Sequence, residues 1–335
     1  MMNRNERIEA LVALPKLVKN SDLFDSILSR AQIENSFFIP EFLTQALNNV
    51  LSWHDEGKLV NWLRAQPEPV KPQKVGLILA GNIPLVGWHD ILAVFASGHR
   101  VIYKPSTQDQ VLVDWFISLL TAHFPSSADY FQKVERLNDI DALIATGSSN
   151  TARHFDYYFR HVPRLIRGSK SSLAILYGFE SAEQLVPLSD DIFMYFGMGC
   201  RNVTKILVPI DYDFQPFMEA MEKYRFLADH NKFINNCIYH KAIFLMNGDP
   251  FLENDLLSVR EADSIFSPMG VLNYQMYANL DEAKSIIKGH LADMQCLLSH
   301  EGQWEGSIPF GTGQIPSLTD YADGLNTLEF LGKLA

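Results

Sequence analysis

The chain has 335 residues, of which 47% are hydrophobic and 20% are charged, and its formal net charge is −11. This length fits two domains of ordinary size, and the composition is that of a globular protein with a large core. Because nucleic acids and anionic membranes attract basic surfaces, the acidic balance argues against both as general partners, although it allows a local basic pocket for a phosphorylated cofactor.

The three cysteines, Cys200, Cys237 and Cys296, are too few and too widely spaced for a disulfide scaffold or a zinc site. We therefore predict reduced thiols, no bound metal and a cytoplasmic protein. The N-terminus has charged residues where a signal peptide would have its apolar core, and the most apolar stretch is interrupted by Asn82 and Asp90. We expect neither a signal peptide nor a membrane span.

Helices are predicted over residues 1–66, where apolar side chains recur at helical spacing. A proline-rich joint at 66–73 cannot continue a helix and separates this region from an alternating pattern. That pattern consists of strands at 75–80, 101–106, 141–149 and 171–178, with helices at 85–97, 111–123 and 151–159. The alternation is typical of a doubly wound parallel sheet of the Rossmann type.

A second α/β pattern follows in the remaining part of the chain. A helix is predicted over 190–196, and strands are predicted at 204–209, 242–247 and 271–277. No internal repeat and no low-complexity tract interrupts it.

Cys200 is the first candidate for catalysis, because Gly199 precedes it and Arg201 follows it in the motif FGMGCRNVTKILVP. Small neighbours allow a substrate to approach the sulfur, and an adjacent cation favours the reactive thiolate. A buried, inert cysteine is the alternative at this position. Cys237 and Cys296 lack such surroundings and are predicted to lie in the core.

Three further motifs follow predicted strands, at the edge where parallel sheets bind their ligands. Asn82 in AGNIP could donate a hydrogen bond to a developing oxyanion, or cap the next helix. Lys104 in YKPST could bind a ribose or a phosphate, or be an ordinary surface lysine. Gly147 and Ser148 in ATGSS could bind a pyrophosphate at a helix N-terminus.

In this order the motifs resemble those of the aldehyde dehydrogenase superfamily, and in detail they resemble its fatty-acyl-CoA reductases of the LuxC type. The similar blocks lie within residues 70–335 and are GNIPLVGWHDILAVFASGHRVIYKPSTQD, ATGSSNTARHFDYYF, YFGMGCRNVTKILVP and DYADGLNTLEFL. The resemblance implies an aldehyde-dehydrogenase-like α/β fold. It places the N-terminal helices and a Rossmann-type NAD(P)-binding domain in 1–178, a second α/β catalytic domain in 179–310 and a C-terminal arm in 311–335.

The resemblance also implies roles for the matching residues. Cys200 would be the nucleophile that takes the acyl group, and Asn82 would be the oxyanion-hole amide. The other positions would bind the cofactor, and they are Lys104, Ser106, Thr107, Gly147, Ser148 and Phe266. Among them the lysine matches the adenosine-ribose contact, the Gly-Ser pair matches the pyrophosphate turn, and the phenylalanine matches the aromatic beside the nicotinamide ribose.

Three departures from the superfamily pattern modify the expected chemistry. Ile166 replaces the glutamate that activates water in hydrolytic members, which favours acyl transfer between thiols over hydrolysis. Ser264 replaces the glutamate that binds the nicotinamide ribose. Thr107 replaces an acidic residue that would repel a 2′-phosphate, so NADPH is permitted as well as NADH.

The resemblance therefore implies an enzyme that reduces a long-chain acyl thioester, of CoA or of acyl carrier protein, to the aldehyde with NADPH. Two alternatives remain open. One is a CoA-acylating aldehyde dehydrogenase that runs the same steps oxidatively, and the other is a non-catalytic binding protein that retains the fold. By analogy with relatives, a homo-oligomer is expected.

Overall fold

A computed structural model describes residues 2–334, and the chain divides into two compact units. The first extends to Ser169 and takes in the segment from Pro316 onward, and the second is Lys170–Ile315. The boundaries therefore fall after residues 169 and 315, where the sequence predicted them after 178 and 310. The shift at the first boundary arises because the strand at 171–175 pairs within the second unit.

Helices precede the first strand, as the apolar spacing predicted. They are α1 Arg4–Lys19, α2 Phe24–Glu34, α3 Pro40–Leu51 and α4 Glu56–Trp62. Helix α1 begins with a capping box, in which Asn3 and Glu6 satisfy each other's backbone N–H groups. The proline-rich stretch at 66–73 contains no helix or strand, as its prolines predicted, and it lies within the first unit.

The first unit contains a five-stranded parallel sheet in the order β3-β2-β1-β4-β5. Its strands are β1 Lys74–Ile78, β2 Arg100–Lys104, β3 Phe131–Lys133, β4 Ala142–Thr146 and β5 Arg164–Arg167. The crossover helices are α5 Trp88–Ala96, α6 Gln110–His123 and α7 Ser149–Tyr158. From the central strand β1 the chain adds β2 and β3 on one side, and it then adds β4 and β5 on the other side of β1. The carboxyl ends of β1 and β4 therefore form the topological switch point, where such sheets bind ligands.

The second unit contains a seven-stranded sheet in the order β12-β11-β6-β7-β10-β9-β8. Its strands are β6 Ser171–Ile175, β7 Val203–Pro209, β8 Leu252–Glu253, β9 Ser258–Glu261, β10 Val271–Tyr277, β11 Met294–Ser299 and β12 Ile308–Pro309. Neighbouring strands are parallel except for β8 and β9. The strand predicted at 171–178 belongs to this sheet and not to the first one, because strand pairing depends on contacts that local sequence does not show.

The helices of the second unit are α8 Ala182–Phe193, α9 Gln215–Met221, α10 Asn231–Asn247 and α11 Leu280–His290. The strand predicted at 242–247 is wrong, because this segment is the last part of α10. His230 caps that helix by accepting a hydrogen bond from the Phe233 N–H, and Gly248 ends it with a φ of 73°. Phe233, Cys237 and Phe244 are its buried side chains, at helical spacing.

The last segment belongs to the first unit and contains α12 Thr327–Gly332. Arg167 at the end of β5 forms a buried ion pair with Asp90 at 2.7 Å and donates a hydrogen bond to Thr327 Oγ1 at 2.7 Å. These contacts join β5, α5 and α12. Within residues 2–334, no helix combines the length and apolar character that a membrane crossing requires.

Candidate active site

Cys200 is the last residue of a turn with left-handed backbone, residues 194–200, which we call the nucleophile turn. Helix α8 ends at Phe193, and Tyr195, Phe196 and Gly197 then have φ values of 54°, 57° and 72°. Left-handed backbone costs an L residue roughly 1–2 kcal/mol at each position. Two successive aromatic residues in this conformation therefore require support from the surrounding structure.

Burial of the aromatic side chains provides part of that support. Tyr195 is 4% exposed and Phe196 is 1% exposed. The Phe196 ring contacts the rings of His230 and Phe233, with centroid distances of 4.5 and 5.5 Å. Removal of this apolar area from water offsets the backbone strain of the turn.

The fully buried side chain of Asn202 provides the hydrogen-bonding part of the support. Its Nδ2 donates to the carbonyl oxygens of Asp191 at 3.0 Å and Met194 at 2.9 Å. Its Oδ1 accepts a hydrogen bond from the Gly199 N–H at 2.8 Å. One amide side chain thus connects the end of α8 to the residue that precedes Cys200.

The surroundings of the three cysteines differ. Ser172 Oγ donates to the Cys200 carbonyl oxygen at 3.1 Å and accepts from the Cys296 N–H at 3.2 Å. Cys200 is partly exposed, whereas Cys237 and Cys296 are buried, as predicted. Burial raises the pKa of the Cys237 thiol to about 11, which keeps that thiol protonated near neutral pH. Of the three cysteines, Cys200 is the most exposed.

A segment that the sequence analysis did not single out, FGTG at 310–313, is tied to the same region. Asp191 accepts hydrogen bonds from the N–H groups of Gly311 at 2.5 Å and Gly313 at 2.8 Å. Arg201 Nε donates to the Gly313 carbonyl oxygen at 2.5 Å. A Cβ at Gly313 would lie 2.7 Å from Asp191 Oδ1, so this position requires glycine. The two glycines of FGTG are therefore the feature of the sequence that could have indicated a close contact here.

Asn82 lies in a loop of the first unit that follows β1, which we call the amide loop (residues 81–85). At one end a Cβ on Gly81 would lie 2.5 Å from Ser106 Cβ, so glycine is required there. At the other end Leu85 is fully buried with a φ of 58°, and its N–H donates to Asp109 Oδ2 at 2.8 Å. Burial raises the pKa of Asp109 well above its usual range, which favours the protonated form of this carboxyl group.

The residues predicted after β2 lie at the edge of the first sheet. The side chains of Lys104 and Thr107 are exposed, and Ser106 is partly exposed. Ser106 Oγ accepts a hydrogen bond from the Gln108 N–H at 3.3 Å. Because Gly81 packs against Ser106, this loop and the amide loop are neighbours in the first unit.

Gly147 and Ser148 connect β4 to α7. Ser148 caps the helix by accepting a hydrogen bond from the Thr151 N–H at 3.3 Å. The first turn of α7 contains no acidic residue, so no local carboxylate neutralises the positive end of the helix dipole. A Cβ at Gly147 would lie 3.1 Å from Thr151 Cβ, which favours glycine in this tight turn. These residues fit a dinucleotide pyrophosphate.

Phe266 belongs to the second unit, and 42% of it is exposed. Ser264, which replaces the glutamate of the superfamily, donates its hydroxyl hydrogen to the Phe266 carbonyl oxygen at 2.9 Å and accepts from the Phe266 N–H at 3.1 Å. Both hydrogen bonds of the Ser264 hydroxyl are therefore made to the backbone of Phe266, two residues away. Ile166, at the position of the other missing glutamate, lies partly exposed on β5.

Comparisons with known proteins were made at the level of family, sequence and structure. No family model matches the chain. The long-chain acyl-protein thioester reductase of Aliivibrio fischeri is 27% identical over 178 residues, which cover 48% of this chain and 36% of that protein. The matched stretch is thus less than two thirds of the length of the curated relative.

Several aldehyde dehydrogenases of known structure are similar in fold. The enzyme of Mycobacterium tuberculosis complexed with NAD+ has a TM-score of 0.64 at 16% identity, over 89% of this chain and 73% of that chain. The Pseudomonas aeruginosa aldehyde dehydrogenase KauB has a TM-score of 0.67 at 12% identity, over 91% and 73%. An indole-3-acetaldehyde dehydrogenase of P. syringae in complex with NAD+ has a TM-score of 0.68 at 11% identity, over 91% and 74%.

The chain therefore has the fold of the aldehyde dehydrogenases, and the predicted fold class is confirmed. Within that fold its sequence is similar to a long-chain acyl-protein thioester reductase, which confirms the resemblance drawn from the motifs.

Proposed function

We propose that the protein is an oxidoreductase that reduces an acyl thioester to the aldehyde, with Cys200 as the residue that takes the acyl group. The observation on which this rests is the partly exposed Cys200 at the end of a strained and hydrogen-bonded turn, while the other two cysteines are buried. Similarity to an acyl-protein thioester reductase supports the acyl class, and the aldehyde dehydrogenase fold supports a nicotinamide cofactor.

The reaction has two halves. In the first, the Cys200 thiolate attacks the carbonyl carbon of the thioester, the bond to the substrate sulfur breaks, and the departing thiol takes up the proton that Cys200 lost. The cofactor, when bound, supplies a hydride to the acyl carbon. In the second half the carbon–sulfur bond to Cys200 then breaks, which releases the aldehyde and restores the thiolate.

We assign the other residues by their surroundings. Asn82 donates a hydrogen bond to the thioester oxygen as negative charge develops there. Gly147 and Ser148 bind the pyrophosphate at the start of α7. The exposed Lys104 and the neutral Thr107, with Ser106 between them, accommodate the adenosine ribose and its 2′-phosphate, so NADPH is the expected cofactor. Phe266 would lie beside the nicotinamide ribose. The proposed substrate is a long-chain thioester of CoA or of acyl carrier protein.

The test is steady-state oxidation of NADPH with palmitoyl-CoA. Cys200→Ala removes the nucleophile, and we expect a loss of turnover by at least about 10⁴-fold. Cys237→Ala, which removes a buried thiol of the same unit, is the matched control and should retain most of the activity. Turnover that persists in Cys200→Ala would contradict the proposal.

A further inference from the structure

Consecutive backbone carbonyl groups in the second unit accept hydrogen bonds from side chains of neighbouring strands. We call residues 262–266 the Phe266 segment. Lys205 on β7 uses its Nζ to donate to the carbonyl oxygens of Ala262 at 3.2 Å and Asp263 at 2.7 Å. The first two carbonyls of the segment are thus held by one lysine.

The remaining three carbonyls are held in the same way. Asn273 on β10 donates through Nδ2 to the carbonyl oxygens of Ser264 and Phe266, both at 3.0 Å. Thr204 on β7 donates through Oγ1 to the Ile265 carbonyl oxygen at 2.5 Å. Three side chains therefore satisfy all five carbonyls of the segment.

A surface loop does not need this arrangement, because water satisfies exposed carbonyls. Lys205 is fully buried, and a buried cation is unfavourable unless polar groups surround it. Its Nζ also contacts Gln275 Oε1 at 2.7 Å and His290 Nε2 at 3.3 Å. Burial lowers the pKa of Lys205 to about 8, so the ammonium group with its donor hydrogens still predominates near neutral pH.

The arrangement fixes the backbone of a segment that carries an exposed aromatic side chain. Within the segment Ile265 is 2% exposed and packs in an apolar cluster of the second unit, while Phe266 is 42% exposed. Thr204 and Lys205 lie on the strand that begins three residues after Cys200. The same strand thus extends from the nucleophile turn to the contacts that hold the Phe266 segment.

We infer that Thr204, Lys205 and Asn273 are positioning residues for the hydride-transfer half of the reaction, because they hold Phe266 in a fixed place relative to Cys200. The inference rests on the proposed function. Transfer of the acyl group to Cys200 makes no use of Phe266, so the three residues affect the second half-reaction and leave the first intact.

The experiment measures the two halves separately in the full chain. Acylation is followed by intact mass after mixing with palmitoyl-CoA, and hydride transfer is followed as NADPH oxidation in a single turnover of the acylated protein. Thr204→Val and Asn273→Leu remove donors at nearly constant volume, and Thr204→Ser restores the hydroxyl. Ser299→Ala, which removes a buried hydroxyl on β11 away from the segment, is the matched control.

We expect Thr204→Val and Asn273→Leu to be acylated at rates close to the unsubstituted protein, and to lose about 100-fold in hydride transfer, as small misplacements of reacting groups do. Thr204→Ser and Ser299→Ala should keep both rates. Lys205→Met should behave like Asn273→Leu, and circular dichroism checks that it folds. Should it not fold, the other two variants decide.

Unchanged hydride transfer in acylated Thr204→Val and Asn273→Leu would overturn the inference while the proposed function stands. Equal losses in both half-reactions would also overturn it, because they would indicate general structural damage. If the unsubstituted protein takes no acyl group, the proposed function fails and the inference fails with it.

Discussion

The nucleophile turn and the amide loop both contain non-glycine residues in left-handed backbone, but they are held by different forces. In the nucleophile turn, hydrogen bonds from Asn202 fix the chain on both sides. In the amide loop, Gly81 is held by close packing against Ser106, and Leu85 by a single bond to Asp109. The stability of the nucleophile turn should therefore be most sensitive to the removal of polar groups. The stability of the amide loop should be most sensitive to added side-chain volume.

The largest effect is expected in the nucleophile turn. Asn202→Ala leaves three carbonyl oxygens, those of Asp191, Ile192 and Met194, and the Gly199 N–H without the partner that they have in this structure. We expect the free energy of unfolding to fall by about 3 kcal/mol. Urea denaturation measures it. Asn235→Ala, at an exposed position of α10, is the control and should change stability by less than about 0.5 kcal/mol. An equally small effect of Asn202→Ala would show that packing alone holds the turn.

An intermediate effect is expected in the amide loop. Gly81→Ala places a Cβ 2.5 Å from Ser106 Cβ and should lower the free energy of unfolding by about 2 kcal/mol. Combination with Ser106→Gly should restore most of that loss, because the two sites share one contact. Gly289→Ala in α11, where a Cβ meets no atom within 4 Å, is the control and should be neutral or stabilising. Additive losses in the double variant would remove the steric explanation.

The smallest effect concerns Asp109 and has the opposite sign. Because burial raises the pKa of this carboxyl group in the folded state, the folded chain keeps a proton that the unfolded chain loses above the ordinary pKa. The contribution of Asp109 to stability is therefore complete in acid and is lost as the pH rises through the folded-state pKa.

Asp109→Asn cannot ionise, and its Oδ1 can still accept the Leu85 N–H. We expect the variant to match the unsubstituted chain in acid and to be more stable than the unsubstituted chain at neutral pH. Thermal melting across pH measures the difference, with Asp129→Asn at an exposed position as the control. A variant that loses stability at neutral pH would show that the charged carboxylate is the favoured acceptor.

Local patterns predicted most of the elements, because the period of burial and the turn residues lie in the same stretch of chain. The strand at 271–277 was predicted with the bounds that it has, between Gly270 and Ala278. The segment 242–247 was mistaken for a strand because a short apolar run does not distinguish a strand from a helix. Its helical period becomes clear only when the polar residues from Asn231 onward are included.

The supports of the site could not be predicted, because they join distant parts of the sequence. In the sequence Lys205 is a single polar residue in an apolar strand. Its hydrogen-bond partners Ala262 and Gln275 lie 57 and 70 residues further along the chain. Asp191 and Gly311 are 120 residues apart. The candidate Cys200 could be proposed from the sequence, since the glycines and the arginine around it are contiguous.

The central claim is that Cys200 takes the acyl group, and intact mass spectrometry tests it most directly. The protein is mixed with palmitoyl-CoA without NADPH, quenched in acid, weighed and digested. We expect one palmitoyl group, located on the peptide that contains Cys200 and absent from Cys200→Ala. A protein that gains no mass, or that gains it on the peptide of Cys237 or Cys296, would contradict the claim.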